Sequence, residues 1–142
     1  MNGSDLMIMI GRVSGEYRRL FHSVLDENGY NGIKGGGRIL HVLSGQDGMS
    51  QKELAMNMQI RPQSLTGVLE KLEKAGMIER KRSSLDRREQ NVFITDTGRE
   101  HCTKLMQFRR QAAEKLLGSM TESEKEKLGE LLGIILSSAE GR

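Results

Sequence analysis

The chain has 142 residues, the length of one domain of ordinary size. Hydrophobic residues make up 36% and aromatic residues only 4%, so it is poor in the large side chains that a self-sufficient monomer buries. The formal net charge of +3 favours an anionic partner without separating DNA, RNA and a membrane surface.

The compartment can be predicted from what the sequence lacks. Cys102 is the only cysteine, which excludes an internal disulfide and fits a reducing compartment. The N-terminus has no basic segment, and the apolar run from Leu6 to Ile10 is too short for a signal-peptide core. No stretch approaches the ~18 apolar residues of a membrane span. These features predict a soluble, cytoplasmic protein with no membrane partner.

The first predicted element is a long helix with a broad apolar stripe from Leu6 to Leu25, ended by Asn28 and Gly29. The glycine run at 35–37 is either a plain loop or a hinge. A short second helix follows from Arg38 to Leu43.

The next segment has the pattern of a helix-turn-helix. Met49 is expected in a brief strand, and Ser50 with Glu53 matches a capping box, in which the Glu53 carboxylate reaches back to the Ser50 amide. A tight turn at 59–61 leads to Pro62, which suits the first turn of a fourth helix. That helix carries an apolar stripe at helical spacing, Leu65, Val68, Leu69 and Leu72.

The remaining elements are a hairpin and two helices. A strand begins near Met77, the hairpin covers Arg80–Arg88, and the return strand runs from Gln90 to Thr95. Thr95 supplies a hydroxyl cap for the fifth helix, and Thr121 opens a capping box for the sixth.

The positive charge is concentrated in one third of the chain. Residues 59–91 carry 8 Lys/Arg against 5 Asp/Glu, whereas residues 1–58 carry 6 of each and residues 92–142 carry 8 of each. A local basic surface on a helix-turn-helix frame is typical of nucleic-acid binding. Phe93 is the only aromatic residue near this surface, which argues against RNA because base stacking needs aromatic side chains.

This order of elements resembles the MarR family of transcriptional regulators along nearly the whole chain. The similarity is strongest from Ser50 to Ala55, from Leu69 to Ile78, at Asp86-Arg87-Arg88 and from Ile94 to Gly98. The resemblance implies a mainly α fold with a small β-hairpin wing. It also implies a single domain over 1–142, with a winged helix lobe at 33–95 and dimerisation helices at 1–30 and 96–142.

The resemblance implies a sequence-specific regulator that binds double-stranded DNA as a homodimer. The long apolar helices support a dimer independently, because too little other protein is present to bury them. Two recognition helices would lie ~34 Å apart on a pseudo-palindromic operator. Repression by occlusion and release by a small-molecule effector are the simplest expectations.

Two groups of DNA-binding residues are predicted. The recognition-helix group is polar or small and lies at or after the turn: Arg61, Pro62, Gln63, Ser64, Thr66, Gly67 and Lys71. The wing group lies on the hairpin: Arg80, Lys81, Arg82, Asp86, Arg87 and Arg88. Asp86 is expected to orient Arg87 or Arg88 through a bidentate pair. An ordinary solvated charged surface is the alternative for each residue.

Two recognition-helix positions depart from the family pattern. Arg61 stands where family members often have a Ser or Asp cap, so that cap is missing or comes from elsewhere. Gly67 lies in the middle of the helix, where it costs about 1 kcal/mol relative to Ala. It either allows a close approach to DNA or is simply tolerated.

The effector pocket is the least defined prediction. Family members bind effectors between the dimer helices and the DNA-binding lobe, and helix faces suggest Tyr17, Phe21, His41 and Met106 as lining residues, with core packing as the alternative. No cofactor and no metal are expected, because His22, His41 and His101 with Cys102 lack a zinc-site spacing.

Two other function classes stay open. One is a winged helix that binds protein without specific DNA binding, and the other is a redox-sensing regulator acting through Cys102. An enzyme is not expected, because the sequence has no nucleophile elbow, phosphate loop, paired-His metal motif or recognisable pair of catalytic carboxylates.

Overall fold

The computed structural model describes residues 1–30, 32–86 and 88–141. Within those ranges the elements follow one another as α1 (Gly3–Glu27), α2 (Gly36–Gly45), β1 (Met49–Ser50), α3 (Gln51–Met58), α4 (Pro62–Lys74), β2 (Ile78–Arg82), β3 (Gln90–Ile94), α5 (Asp96–Leu117) and α6 (Glu122–Glu140). The predicted class, mainly α with a small β-hairpin wing, is confirmed. None of the helices in the described ranges is long and apolar enough to cross a membrane.

The chain divides into two compact units. The first, the helical unit, contains Met1–Asn28 and the segment from Arg109 onward. The second, the winged unit, contains Gly29–Phe108. The first part of α5 therefore groups with the winged unit, whereas the sequence prediction ended the lobe at residue 95.

The core of the winged unit is built from the apolar stripes of its helices and one face of its sheet. Its largest fully buried side chains come from α2, α3, α4, β2 and β3: Ile39, Leu40, Leu43, Leu54, Leu65, Leu69, Leu72, Ile78 and Val92. Burying an aliphatic side chain of this size contributes roughly 1.5–3 kcal/mol. This core fixes α4 against the sheet and so determines which of its faces is exposed.

The sheet has three antiparallel strands in the order β1-β3-β2. Strand β2 pairs with β3 from Ile78 opposite Ile94 to Arg82 opposite Gln90. Strand β1 adds only Met49 opposite Val92 and Ser50 opposite Asn91. Because α3 begins directly after β1, this short pairing holds the start of α3 beside the hairpin.

The glycine run at 35–37 is not a free loop. Gly35 adopts the left-handed conformation, with φ of 82°, and α2 begins at Gly36 rather than at Arg38 as predicted. Gly36 is buried, and a Cβ there would lie 3.0 Å from Leu72 Cδ2 and 3.2 Å from Ile33 Cβ. A side chain at Gly36 would force its neighbours to shift, so glycine suits the close packing here, and the hinge interpretation has no support from this packing.

The cap of α3 differs in one detail from the prediction. The Ser50 hydroxyl accepts the Glu53 amide at 3.1 Å, as expected. The Glu53 carboxylate, however, accepts a hydrogen bond from that same hydroxyl at 3.3 Å instead of reaching the Ser50 amide. Ser50 is also the last residue of β1, so its backbone is in a strand ladder. The predicted cap at Thr121 is a full capping box.

Thr95 joins the end of α4 to the start of α5. Its hydroxyl donates to the Gly76 carbonyl at 2.6 Å and accepts the Gly98 amide at 3.1 Å. Its own amide donates to the Met77 carbonyl at 3.0 Å. The predicted hydroxyl cap is present, and it also ties the segment after the recognition helix to α5 within the winged unit.

The helical unit carries apolar side chains that the chain does not cover. Helix α6 has no buried residue, although six of its large apolar side chains are exposed: Leu128, Leu131, Leu132, Ile134, Ile135 and Leu136. The first half of α1 likewise exposes Leu6, Met7, Ile8, Met9 and Val13. A helix without a buried face is only marginally stable in water. These apolar side chains are therefore available to a partner surface.

Candidate nucleic-acid interface

Helix α4 has one buried and one exposed face. Leu65, Leu69 and Leu72 are at most 1% exposed. The predicted contact residues on the other face are exposed, with the single exception of the half-buried Thr66: Arg61, Pro62, Gln63, Ser64, Gly67 and Lys71. The winged unit thus presents a continuous polar helix surface next to its core.

The first turn of α4 lacks a side-chain cap, as the sequence predicts. Arg61 is the N-cap residue, in extended conformation, and its side chain makes no capping hydrogen bond. Its carbonyl accepts the Ser64 amide at 3.1 Å and the Leu65 amide at 3.2 Å, so the backbone alone starts the helix. The Arg61 side chain is therefore not committed to capping.

Thr66 and Gly67 on α4 differ in their contacts within the chain. The Thr66 hydroxyl donates to the Pro62 carbonyl at 3.0 Å, which occupies its only proton and leaves it as an acceptor. A Cβ at Gly67, by contrast, would meet nothing within 4 Å. Packing within the chain therefore gives no reason for glycine at position 67.

Arg80, predicted in the wing group, is bound by α4. Its guanidinium donates to Glu73 Oε1 at 2.9 Å and its backbone amide donates to Glu73 Oε2 at 3.2 Å. The Arg80 side chain is 18% exposed. The side-chain hydrogen bond from Arg80 holds the pKa of Glu73 below its usual value. Arg80 therefore anchors the wing to α4, and its charge is already paired.

The next two wing residues, Lys81 and Arg82, differ in whether their charge is paired. Lys81 Nζ lies 5.3 Å from the centroid of the Phe93 ring and 3.8 Å from Glu79 Oε2. Arg82 is exposed, and among the described residues it forms no ion pair. Of these two cations, Arg82 is the one with its charge uncommitted.

The wing loop is held by Ser83 and Asp86. The Ser83 amide donates to the Glu89 carbonyl at 2.9 Å, and the Ser83 hydroxyl accepts the Leu85 amide at 3.2 Å. Asp86 Oδ1 accepts the backbone amide of Arg88 at 3.0 Å. The predicted partner of Asp86 was an arginine side chain; toward Arg88 the structure shows the backbone contact instead. The other predicted partner, Arg87, lies outside the described residues.

A cleft between the start of α3 and the wing was missed by sequence reasoning. It has a volume of about 410 Å³ and is lined by Gln51, Lys52, Arg82, Arg88, Glu89 and Gln90. The one available signal was Lys52, a cation in the first turn of a helix, where a positive charge opposes the helix dipole.

An aromatic cluster in the winged unit was also missed. The hydroxyl of Tyr30 lies 2.6 Å from His101 Nδ1, and the two rings stack with centroids 4.9 Å apart. Phe108 packs edge-on against Tyr30 at 5.2 Å. Burial lowers the pKa of His101 and raises that of Tyr30, so it favours the neutral form of both side chains.

The predicted effector residues are divided between the units. Tyr17 and Phe21 are half-buried in the helical unit, where the guanidinium carbon of Arg109 lies 5.5 Å from the centroid of the Phe21 ring. His41 and Met106 are exposed in the winged unit. The pocket stays a prediction.

Cys102 is 5% exposed within the core of the winged unit, which does not favour a thiol sensor, because such a thiol has to be accessible.

A helix-turn-helix followed by a β-hairpin that belongs to a three-stranded sheet defines the class of winged helix-turn-helix proteins. The family model described as MarR family matches residues 37–90. This part of the chain is therefore similar to the MarR family, which agrees with the resemblance of its motifs. This family is one of transcriptional regulators with a DNA-binding fold and not one of enzymes.

Known proteins show the same similarity. The HTH-type transcriptional regulator TtmR of Methylorubrum extorquens (strain PA1) is 36% identical over 61 residues, which are 43% of this chain and 31% of that protein. The chain spans less than two thirds of the length of the curated relatives that it matches.

Solved structures match along nearly the whole chain. A MarR transcriptional regulator from Methanosarcina mazei Go1 has a TM-score of 0.81 at 20% identity and covers 97% of this chain and 98% of its own. A MarR family protein from Mycobacterium tuberculosis, solved in complex with DNA, has a TM-score of 0.75 at 25% identity and covers 92% and 96%.

Proposed function

We propose that the chain is a sequence-specific DNA-binding regulator that places α4 in the major groove and the wing against the adjacent minor groove. The observation that carries the proposal is the exposed polar face of α4, with Gln63 and Ser64 near its start and Arg82 and Arg88 uncommitted on the neighbouring wing. Short polar side chains suit base edges, and free arginines suit phosphates and narrow minor grooves.

The regulator acts as a homodimer in this proposal. Helix α6 exposes six large apolar side chains and buries none, which supports a second copy of the chain as the covering surface. The helices at 1–30 and 96–142 then serve dimerisation and the lobe at 33–95 serves DNA binding. A two-fold axis would place the two copies of α4 on the half-sites of a pseudo-palindromic operator.

Repression released by a small molecule completes the proposal. Occlusion of a promoter requires only occupancy, and an effector that favours a dimer with wrongly spaced recognition helices would release the DNA. Tyr17, Phe21, His41 and Met106 remain the candidate effector contacts.

The first experiment is fluorescence anisotropy with duplex fragments from the region upstream of the protein's own gene, across a salt series. The expected result is tight, competitor-resistant binding by a dimer, with log K falling steeply against log salt. Binding that equals random DNA for every fragment, or that ignores salt, would contradict the proposal and favour a winged helix with protein partners.

The wing is tested separately. Replacing Arg87 and Arg88 by Ala should weaken binding across sequences and lower the salt slope by up to about two. The matched control is Lys125→Ala with Lys127→Ala, which removes two charges from α6. Unchanged binding by the wing variant would exclude the wing from the interface.

A further inference from the structure

The α3–wing cleft, defined by Gln51, Lys52, Arg82, Arg88, Glu89 and Gln90, lies entirely within the winged unit. Two of its residues open α3, and the other four come from β2, β3 and the loop between them. The β1–β3 pairing brings these two parts of the sequence together, because α3 follows β1 without a linker. The cleft therefore forms because β1 pairs with β3 in the sheet.

The charge that lines the cleft is mostly unpaired. Lys52, Arg82 and Arg88 are cationic and exposed, against one carboxylate, Glu89. Within the described residues none of these three cations forms an ion pair, whereas the neighbouring Arg80 and Lys81 both do. The formal charge of the lining is therefore positive, and its cations are available to a ligand.

Lys52 has no evident structural role. It is the second residue of α3, in a first turn where a positive charge opposes the helix dipole, and its side chain is exposed. It is therefore not placed there to stabilise the helix. An anion close to Lys52 would offset its unfavourable interaction with the helix dipole.

Gln51 leaves a polar group unsatisfied in the same wall. Its Oε1 is buried and, among the described residues, has no hydrogen-bond partner. A buried acceptor without a partner is costly. The cleft volume of about 410 Å³ is large enough for a phosphate group with bound waters.

We propose that the α3–wing cleft binds one phosphate group of the DNA backbone, with Lys52, Arg82 and Arg88 as its ligands. The proposal rests on the DNA-binding function proposed above. When α4 lies in the major groove and the wing in the adjacent minor groove, the backbone that separates the grooves passes the base of the wing. Lys52 then acts from α3, an element outside both the recognition helix and the wing.

The test compares Lys52→Ala with Lys104→Ala. Both variants remove one exposed lysine from the winged unit, and Lys104 lies on α5 and does not line the cleft. Anisotropy with the operator fragment should show about fivefold weaker binding for Lys52→Ala and a salt slope lower by about one, with little change for Lys104→Ala. Thermal unfolding should show that Lys52→Ala melts no lower than the wild type.

A chemical double cycle then locates the phosphate. The operator is synthesised with a neutral methylphosphonate at one backbone position at a time. The position that contacts the cleft should weaken binding of Lys52→Ala less than it weakens binding of the wild type, because the Lys52 contact is already absent and only those of Arg82 and Arg88 remain to be lost. Losses that multiply at every position would overturn the proposal.

The remaining outcomes separate the two proposals. If the wild type binds its operator and Lys52→Ala behaves like Lys104→Ala, the phosphate subsite is excluded and the regulator stands. If the wild type prefers no fragment, the proposed function fails first. If inorganic phosphate binds saturably by phosphorus NMR and is lost in Lys52→Ala while DNA binding is unchanged, the cleft serves a free anion and not the DNA backbone.

Discussion

Glu73 and Arg80 connect the recognition helix to the wing through two hydrogen bonds, one from the Arg80 guanidinium and one from its backbone amide. A side chain at the end of α4 thereby fixes the start of the hairpin. The charge of Arg80 is used inside the protein, so the proposed contact with DNA is left to the cations farther along the wing.

Replacing Glu73 by Gln should lower the melting temperature at neutral pH by a few degrees, because it removes the charge that Arg80 binds. The pKa of Glu73 is lowered in the folded state, chiefly by the Arg80 hydrogen bond. The stabilisation is therefore present above the ordinary Glu pKa and is lost as the pH falls through the folded value. The melting temperatures of the variant and the wild type should converge as the pH falls below the folded pKa of Glu73. Glu100→Gln, an exposed carboxylate on α5, is the control and should show no such convergence.

A substitution at Gly67 tests stability and DNA binding separately. Gly67→Ala should raise the free energy of unfolding by about 1 kcal/mol, because alanine is the better helix former and the added Cβ meets nothing. If DNA approaches the helix backbone here, the same change should weaken operator binding. Urea unfolding and anisotropy measure the two effects. A variant that is more stable and binds equally well would show that Gly67 is merely tolerated.

The exposed face of α6 predicts a dimer that one charge can dissociate. Leu132→Glu should yield a monomer in sedimentation velocity, because a buried unpaired carboxylate is costly at an apolar interface. Operator affinity should fall with it, because a monomer binds one half-site. Ser138→Glu places the same charge on the same helix outside its apolar positions and should remain dimeric. A wild type that sediments as a monomer would remove the basis of the prediction.

His101 predicts a dependence of stability on pH. Burial lowers its pKa in the folded state, and its Nδ1 shares a hydrogen bond of 2.6 Å with the Tyr30 hydroxyl. The unfolded state thus binds the proton more readily, so stability is complete above the ordinary His pKa of about 6.5 and falls as the pH drops through the folded value. His101→Phe should abolish this fall in urea unfolding between pH 8 and 5. His41→Gln, which changes an exposed histidine, should retain it.

Periodicity and caps predicted the order of the elements because those signals are local. The stripe of Leu65, Leu69 and Leu72 and the Thr121 cap each depend on residues within one or two helical turns, and both are found as predicted. The start of α2 was placed two residues late, because Gly36 is selected by contact with Leu72, far along the chain.

The candidate site was less predictable because its geometry depends on long-range pairs. Nothing local distinguishes Arg80 from Arg82, yet one is bound by Glu73 and the other is free. The cleft requires Lys52 and Arg88 to meet across the sheet, and the Tyr30–His101 contact joins residues 71 positions apart. Composition placed the excess positive charge in residues 59–91, but it did not distinguish the side chains whose charge is unpaired and it left out Lys52.

The Ser83–Glu89 hydrogen bond closes the base of the wing loop, below which the strands are paired from Arg82 and Gln90 to Ile78 and Ile94. Residues between Ser83 and Glu89 can therefore be inserted, deleted or exchanged without disturbing the register of the sheet. Under the proposed function, the loop could lengthen or shorten to suit a new operator while the core and α4 stay the same. Among proteins related in this way, the stretch of DNA that the wing contacts would differ more than the fold does.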